Sequence, residues 1–458
     1  MAPVTKRLVV IGGDAAGMTA ASQVRRSRGD TVEVVALERG HHASYSACGI
    51  PYWVAGDVDS DDDLVARSPE EHRRRGIDLR MRHEVVGIDL DGGQVSVRDL
   101  DAGAGYDLGF DQLVVATGAV PVRPDLPGVD AAGVYGVQTL DDGQAVLEEL
   151  RKERPASAAV VGGGYIGVEM AEAMVRNGLQ VTVLEQADEP MSALDPDMGR
   201  LVREAMVGMG IDVRVGTPVE RFVIDDAEHV RGVVAGGETV AADVVVLGLG
   251  VRPNTELAAA AGLPLGGSGG LRVDLRLAVP GHDGVWAGGD CVETFNLVSQ
   301  TWGHVPLGTH ANKHGRVIGA NASGGYATFP GVVGTAMTKV CGLEIARTGL
   351  SESEATAAGF RFEAVTIAAT TRAGYFPGAR PMTVKMLAEL GTGRLLGAQI
   401  VGREGSAKRI DVCAVALWNR MTVEELTGLD LGYAPPFSPV WDPVLVAARK
   451  AVSALAGR

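Results

Sequence analysis

The sequence predicts an α/β protein with two domains of the same plan, one inserted in the other, and a C-terminal α+β domain. The main observation is an internal repeat. Residues 7–38 and 158–185 each read as an apolar strand, a glycine turn, a helix and a second strand ending at a glutamate. A further apolar strand ending in glycine follows each copy, and a third, GVWAGGDC at 284–291, predicts the return of the chain to the first domain, followed by a helix over LGTHANKHGRVIGANAS. From about residue 331 the pattern changes to strands and short helices, with capping boxes predicted at Ser351 and Thr422 and an amphipathic helix predicted over 407–420. Strand–helix–strand units of this kind favour parallel sheets covered by helices.

Composition predicts a protein without a nucleic-acid or membrane partner. The 458 residues are 46% hydrophobic and 22% charged, with a formal net charge of -15, which disfavours polyanions. No apolar run approaches the roughly 18–20 residues that span a bilayer. The start of the chain reads as a first strand rather than a signal peptide. Four widely spaced cysteines suit a reducing compartment, so we expect a cytoplasmic protein.

The turn of the first repeat has the features of a diphosphate-binding site. A diphosphate has to lie against bare backbone at the positive end of a helix, and glycine permits that approach. Gly12 and Gly17 hold two of the expected positions, whereas Asp14 holds the middle one. Glu38 ends the second strand, where a carboxylate can bond ribose hydroxyls. We predict an FAD site that includes Gly12, Gly13, Ala15, Ala16, Gly17, Glu38, Arg39, Thr117 and Gly118.

The second repeat fits the same pattern without a departure and is predicted to bind NAD(P)H. Its acid, Glu185, would repel a 2′-phosphate, and no arginine close in sequence could grip one. NADH is therefore the favoured nucleotide, with NADPH as the alternative. The residues predicted for this site are Gly162, Gly164, Ile166, Gly167, Glu185 and Gly250.

Cys48 is the predicted redox group. It lies in SYSACGIPYW, and Pro51 suits the first turn of a helix whose positive end would lower the pKa of the thiol. No other cysteine lies within a few residues, so a local dithiol couple is excluded. A single cysteine has to cycle through a mixed disulfide with a small thiol or through a sulfenic acid. We expect Cys291, Cys341 and Cys413 to be core residues.

The chain resembles the single-cysteine branch of the pyridine nucleotide-disulfide oxidoreductases. That branch contains coenzyme A-disulfide reductases, NADH oxidases and peroxidases, and persulfide reductases. The matching stretches run over nearly the whole chain: GGDAAGM, SYSACGIPYW, ATGA, GGGYIGVE, GLGVRPN, AGGDC, LGTHANKHGR and YAPPFSPVWDPV. The resemblance implies that Asp290 contacts the flavin and that Tyr165 gates the nicotinamide pocket.

The same resemblance implies a homodimer of three-domain subunits. The first Rossmann-like domain, for FAD, would comprise residues 1–120 and 251–330. The second, for NAD(P)H, would comprise residues 121–250, and residues 331–458 would form the dimerisation domain.

The closest likeness is to coenzyme A-disulfide reductases, which implies an active site shared between subunits. Tyr375 and Tyr433 match tyrosines that reach the cysteine of the opposite subunit, and Gln23, Arg26 and Ser44 are the substrate-binding candidates. All nine histidines lie at or before His314, so the C-terminal domain has no histidine to protonate a leaving thiol. A tyrosine hydroxyl is the natural substitute.

We therefore predict an enzyme that uses FAD and NAD(P)H to reduce a small-thiol disulfide, of the coenzyme A disulfide or persulfide type, through Cys48. The alternative is an NADH oxidase or peroxidase that reduces oxygen or peroxide through a Cys48 sulfenic acid or through flavin. A third hypothesis is an electron carrier or redox-dependent binding protein in which loss of Cys48 has little effect. No metal site is expected, because the acidic run of residues 59–63 lacks the glycine of a calcium loop.

Overall fold

The computed structural model describes residues 6–457 and begins with a five-stranded parallel sheet. The central strand is apolar on both faces, with Leu8, Val9 and Val10 at most 1% exposed, as a parallel sheet covered on both sides requires. The helices Ala15–Arg28 and Gly308–Ala322 pack closely against each other beside the sheet. In spatial order the strands are Val285–Ala287, Gln112–Val115, Lys6–Ile11, Val32–Glu38 and Asp78–Met81.

A second five-stranded parallel sheet has the same arrangement. Its spatial order is Asp212–Arg214, Gln180–Leu184, Ser157–Val161, Val244–Leu247 and Val134–Gly136, with helices Leu140–Lys152, Tyr165–Arg176 and Pro196–Gly208. Each parallel sheet has a three-stranded antiparallel companion. These are His83–Asp89, Gln94–Asp99 and Gly105–Gly109 for the first, and Val219–Ile224, Val230–Ala235 and Glu238–Ala241 for the second.

The second sheet is inserted in the first. The chain leaves the first sheet after Val115 and re-enters it at Val285, next to the same strand. The outgoing segment Ala119–Pro121 pairs antiparallel with the returning segment Val251–Pro253, which ties the two connections together. The predicted return through GVWAGGDC and the helix after it are therefore confirmed.

The C-terminal part is an antiparallel five-stranded sheet with helices packed on it. Its strands, in spatial order, are Ala336–Val340, Leu343–Gly349, Leu395–Gly402, Pro381–Glu389 and Phe362–Thr370, and its helices are Glu352–Ala357, Ile410–Trp418, Val423–Thr427 and Pro443–Ala456. Ser351 and Thr422 each form the predicted capping box. The helix predicted over 407–420 is shorter, because Ala407–Arg409 forms a 3₁₀ turn before it.

The remaining elements are short. They are the helices Ile50–Val54, Pro69–Arg74 and Glu256–Ala260, the hairpin Thr294–Phe295 with Trp302–Gly303, and the 3₁₀ turns Gly29–Thr31, Ala47–Gly49 and Asp62–Leu64. Within residues 6–457, no helix combines the length and the apolar character needed to cross a bilayer. The three-part α/β architecture predicted from the repeats is confirmed.

A buried lysine joins the second parallel-sheet domain to the C-terminal domain. The Lys385 ammonium is 4% exposed and lies 3.1 Å from Asp195, 2.6 Å from Asp197 and 2.5 Å from Glu352. Gln399 donates to the Asp195 carboxylate at 2.7 Å and accepts from the Asp195 backbone N–H at 2.9 Å. Because Asp195 caps the helix Pro196–Gly208, this network fixes that helix on the C-terminal sheet.

Lys385→Met is expected to destabilise the protein by about 3 kcal/mol, because it leaves the buried Asp195 carboxylate without its cation. Urea denaturation measures the loss. The control is Lys152→Met, which removes the exposed ion pair with Glu148 and should cost less than about 1 kcal/mol. Equal effects of the two substitutions would show that the buried network does not stabilise the domain contact.

Candidate active site

The predicted first turn forms a cradle of bare backbone. Gly12 has φ +112°, and a Cβ there would overlap the Ala116 carbonyl oxygen. A Cβ at Gly17 would in turn overlap the Gly12 carbonyl, so only glycine lets the turn close this tightly. The helix Ala15–Arg28 begins at this turn and directs its N–H groups toward it. The arrangement fits a diphosphate.

The second turn repeats this geometry. Gly162 has φ +96°, and a Cβ there would lie 2.6 Å from the Gly248 carbonyl oxygen. A Cβ at Gly167 would overlap the Gly162 carbonyl, and Gly164 caps the helix that begins with Tyr165 and Ile166. Gly248 therefore takes the place that Ala116 has in the first turn. The two cradles are equivalent and both fit a dinucleotide.

The two glutamates predicted to bind ribose, Glu38 and Glu185, each accept hydrogen bonds from the glycine turn of their own repeat. Glu38 accepts the Gly13 and Gly40 N–H groups, both at 2.7 Å. Glu185 accepts the Gly163 N–H at 2.6 Å and the Ala187 N–H at 2.8 Å. The structure thus places each carboxylate beside the glycine turn, where a ribose would lie.

Three further predicted cofactor residues, Thr117, Gly118 and Gly250, lie where the two sheets connect. The Thr117 hydroxyl donates to the Asn254 carbonyl at 2.6 Å, and the Gly118 carbonyl accepts the Asn254 N–H at 3.0 Å. Gly250, with φ +83°, accepts the Val122 N–H at 2.9 Å in the same connection. Arg39 is exposed, and its carbonyl accepts from Arg82 at 3.0 Å. These residues therefore lie beside the first glycine turn or at the connection between the two sheets, and not beside Cys48.

Asp14, the departure in the first turn, is a largely buried carboxyl. It accepts the Tyr45 N–H at 3.1 Å. Its pKa is raised to about 7, mainly by burial and also by the Glu38 and Asp290 carboxylates, while the Tyr45 N–H acts in the opposite direction. Asp14 is therefore a carboxyl that can remain neutral near pH 7 and need not repel a bound diphosphate.

Cys48 is exposed and lies in the 3₁₀ turn Ala47–Gly49. The prediction that a helix end lowers its pKa is wrong. The helix that follows, Ile50–Val54, has only five residues. The protein atoms crowding the sulfur raise the pKa of the thiol, and the Glu169 and Asp290 carboxylates raise it further.

Several polar groups lie around the Cys48 sulfur or along the helix next to it. Burial raises the pKa of Asp290 to about 6. The Tyr165 hydroxyl is buried and has no hydrogen-bond partner among residues 6–457, which suits a group that meets a ligand. Burial raises its pKa to about 12. Glu169 lies one turn beyond Tyr165 on the same helix. The structure thus brings Cys48, Asp14, Asp290 and Glu169 into one region, and Tyr165 lies beside Glu169.

Sequence reasoning missed Glu169. It is four residues after Tyr165, so the two side chains share one helix face, and that spacing was a usable signal. Its partner, Thr338, comes from the C-terminal domain and had no signal in the sequence.

The three predicted substrate-binding residues lie in two separate places. Ser44, with φ +51°, bonds the buried His72 at 2.9 Å, and its N–H donates to the Gly13 carbonyl, which ties the Cys48 loop to the first turn. On the helix Ala15–Arg28, Arg26 donates to the Gln23 amide oxygen at 2.8 Å, and the Gln23 side chain lies against Gly319 of the neighbouring helix. The Gln23 amide also donates to the Ser27 hydroxyl at 3.2 Å, so it is already paired, whereas Arg26 is exposed.

Tyr375 and Tyr433 lie together on the C-terminal domain. They are 78% and 46% exposed, and the Tyr375 hydroxyl raises the pKa of Tyr433 through a hydrogen bond. No hydrogen bond within the described range 6–457 joins either one to Cys48. The two tyrosines are part of an exposed apolar surface. It also includes Phe437, Val440 and Trp441, which are 76%, 68% and 50% exposed.

Of the three cysteines predicted to be core residues, two are in the core and the third is only half-buried. Cys291 and Cys413 are fully buried, and burial raises the pKa of each thiol. Cys341 is half-buried at a turn with φ +52° and packs at the edge of a core rather than inside it.

Comparison with known proteins gives matches over nearly the full length. Residues 6–315 match the family model described as pyridine nucleotide-disulphide oxidoreductase, and residues 335–443 match the dimerisation domain of the same family. A protein of Methanocaldococcus jannaschii named NADH oxidase is 36% identical over 99% of this chain and 100% of its own length. A Pyrococcus abyssi protein named NAD(P)H sulfur oxidoreductase (CoA-dependent) is 38% identical over 97% of this chain and 98% of its own.

A solved structure shares the fold closely. The NAD-dependent persulfide reductase from A. fulgidus superposes with a TM-score of 0.95 at 39% identity, covering 98% of this chain and 84% of that one. The two glycine cradles, each with its acid, and the matched dimerisation domain agree with these likenesses. The chain therefore belongs to the pyridine nucleotide-disulphide oxidoreductase family and is an NAD(P)H-dependent flavoprotein oxidoreductase.

Proposed function

We propose that this enzyme reduces a small-thiol disulfide of the coenzyme A disulfide or persulfide type through Cys48, with NADH as the electron donor. The accessibility of the Cys48 sulfur, in a loop without a second cysteine, carries the proposal. A solitary exposed thiol has no partner cysteine in its own loop, so exchange with a disulfide leaves it as a mixed disulfide with the substrate's thiol. The names of the Pyrococcus abyssi and A. fulgidus proteins support this substrate class.

In this proposal the first cradle binds FAD and the second binds the nicotinamide nucleotide. Residues 1–120 and 251–330 would hold FAD, with Gly12, Gly17 and Glu38 at the diphosphate and ribose and Asp290 at the flavin. Residues 121–250 would hold the nicotinamide nucleotide on Gly162, Gly167 and Glu185, with Tyr165 at the mouth of its pocket. Bound FAD would supply the two-electron chemistry that links nicotinamide oxidation to reduction of a sulfur–sulfur bond.

The chain's own residues then perform the thiol exchange. The Cys48 thiolate attacks one sulfur of the disulfide, so that bond breaks while a mixed disulfide on Cys48 forms. The leaving thiolate takes a proton from the hydroxyl of Tyr375 or Tyr433 of the partner subunit. Gln23, Arg26 and Ser44 would bind the polar part of the thiol. This assigns the exposed apolar surface around Tyr433 to a subunit interface.

The second candidate is an NADH oxidase, which the name of the Methanocaldococcus jannaschii relative supports. Two assays separate the candidates. Without oxygen, NADH consumption should require coenzyme A disulfide or a persulfide. In air without disulfide, oxygen uptake should be much slower than that reaction. Oxygen uptake faster than disulfide reduction at saturating NADH would replace the first proposal by the second.

The affinity of the apoprotein for FAD is expected to fall about tenfold between pH 6 and pH 8, because one carboxyl with a pKa of about 7 has to stay protonated beside the diphosphate. Below pH 7 Asp14 is neutral and binding is at its strongest; above pH 7 its charge opposes the ligand. Flavin fluorescence titrations measure the dissociation constant. Asp14→Asn should give a flat profile, and an unchanged slope in that variant would assign the pH dependence to another group.

A further inference from the structure

A cavity lies beside the first parallel sheet, between the segments that precede and follow the strand Val285–Ala287. Its volume is about 370 Å³, within the range of about 300–1,000 Å³ that is typical of small-molecule sites. None of the residues that line it belongs to either glycine turn or to the Cys48 loop. The apolar part of its lining consists of Leu265, Val273, Pro280 and Trp302.

The Glu293 carboxylate lines this cavity although the residue is only 6% exposed. Its Oε1 accepts the Ser268 N–H and the Ser268 hydroxyl, both at 2.8 Å. Its Oε2 accepts no hydrogen bond from any residue in the range 6–457. A buried carboxylate oxygen without a donor costs free energy, and a donor supplied by a ligand would offset that cost.

Two glycines make room for this carboxylate. A Cβ at Gly266 would overlap Glu293 Oε2, and a Cβ at Gly270 would lie 2.8 Å from the Glu293 backbone nitrogen. The Gly266 N–H donates to the Gly270 carbonyl at 2.8 Å, which closes the turn between them. The turn therefore holds the carboxylate in the wall of the cavity, with Oε2 beside Gly266.

Arg272 brings the opposite charge to the same cavity. It is exposed, and its guanidinium has no ion pair or hydrogen bond with the part of the chain that the structure describes. Arg272 therefore does not neutralise Glu293, and both charges are available to a ligand. Trp302 and Leu265, 45% and 38% exposed, add apolar surface next to these two charges.

We propose that this cavity binds an apolar α-amino acid, at a site separate from the one that reacts with the disulfide. The ammonium group of the ligand donates to Glu293 Oε2, and its carboxylate accepts from the Arg272 guanidinium. Its side chain packs on Trp302 and Leu265. A ligand with a single charge would leave either Glu293 or Arg272 without a partner, so the lining favours a zwitterion over a simple amine or a carboxylic acid.

Equilibrium dialysis of the FAD-loaded enzyme against radiolabelled L-leucine tests this directly. We expect saturable binding with a dissociation constant below about 1 mM. Glycine lacks the apolar side chain and should compete at least about tenfold less well. Isopentylamine lacks the carboxylate and isocaproate lacks the ammonium group, so each should also compete at least about tenfold less well. Absence of saturable binding below about 1 mM leucine, or competition by any of the three as strong as that of leucine itself, would overturn the proposal.

Two charge-removing variants locate the site. Glu293→Gln keeps an oxygen for the Ser268 donors but loses the charge that attracts the ammonium group, so leucine should bind at least about tenfold more weakly. Arg272→Gln, at an exposed position, should have an effect of the same size. The control is Glu256→Gln, which removes an exposed carboxylate that pairs with Arg252 outside the cavity and should leave the affinity unchanged.

Retained flavin absorbance shows that each variant is folded. Wild-type affinity for leucine in either Glu293→Gln or Arg272→Gln would contradict the assigned contacts and overturn the proposal. Dialysis needs no turnover, so this result is independent of whether disulfide reduction through Cys48 is confirmed.

Discussion

Cys48→Ser is expected to lower the rate of coenzyme A disulfide reduction at least about a thousandfold while FAD stays bound. A serine hydroxyl is not ionised near neutral pH and cannot form a disulfide with the substrate. The cradle that we assign to FAD lies at Gly12 and Gly17 and does not involve the sulfur, so the flavin spectrum should be unchanged. NADH-dependent release of free thiols, measured without oxygen, gives the rate.

The matched control for this experiment is Cys341→Ser. Cys341 is a half-buried cysteine at a turn of the C-terminal sheet, bonded through its backbone N–H to Glu172 at 2.8 Å. This variant should keep most of its disulfide reductase activity. Undiminished activity in Cys48→Ser would support the electron-carrier hypothesis, in which the thiol is incidental.

Replacing both Tyr375 and Tyr433 by phenylalanine is expected to lower the rate of disulfide reduction by about a hundredfold, because proton donation to the leaving thiol is lost. Both residues are exposed on the C-terminal domain and bonded to each other, so either hydroxyl can substitute for the other. The double variant is therefore needed, and each single variant should lose less.

Mixed dimers show whether the tyrosines act across the interface. Co-expression of Cys48→Ser chains with the double phenylalanine chains gives mixed dimers as about half of the population. If tyrosines from one subunit serve Cys48 of the other, each mixed dimer contains one complete site, and about a quarter of the wild-type activity returns. If the tyrosines serve Cys48 of their own chain, no site is complete and no activity returns.

The fold was predictable because its signals are local. The strand–turn–helix repeat appears twice with the same spacing, and Gly12 and Gly162 hold positions where a Cβ would overlap backbone, so no other residue fits. The capping boxes at Ser351 and Thr422 are likewise local patterns, confirmed by hydrogen bonds three residues along the chain. The helix predicted over 407–420 differs at both ends, because it begins after a 3₁₀ turn at Ile410 and ends at Trp418, and helix ends are the least predictable part of an element.

The electrostatics of the site was not predictable in the same way. The pKa of Cys48 is raised first by burial and then by the Glu169 and Asp290 carboxylates, which are more than 100 residues away in sequence and come from both parallel-sheet domains. The Thr338–Glu169 hydrogen bond and the buried Lys385 network also cross domain boundaries. A local motif gives the position of the thiol in the chain but not the charges that the fold brings to it.

The reaction proposed for Cys48 is tested most directly by mass spectrometry of the intact, non-reduced protein with peptide mapping of Cys48. The mixed-disulfide cycle predicts an adduct with the mass of coenzyme A on the Cys48 peptide that is lost on reduction by NADH or a thiol. Cys341, Cys291 and Cys413 should be unmodified. An unmodified Cys48, or one that carries only oxygen, would contradict the disulfide cycle and favour the oxidase or peroxidase.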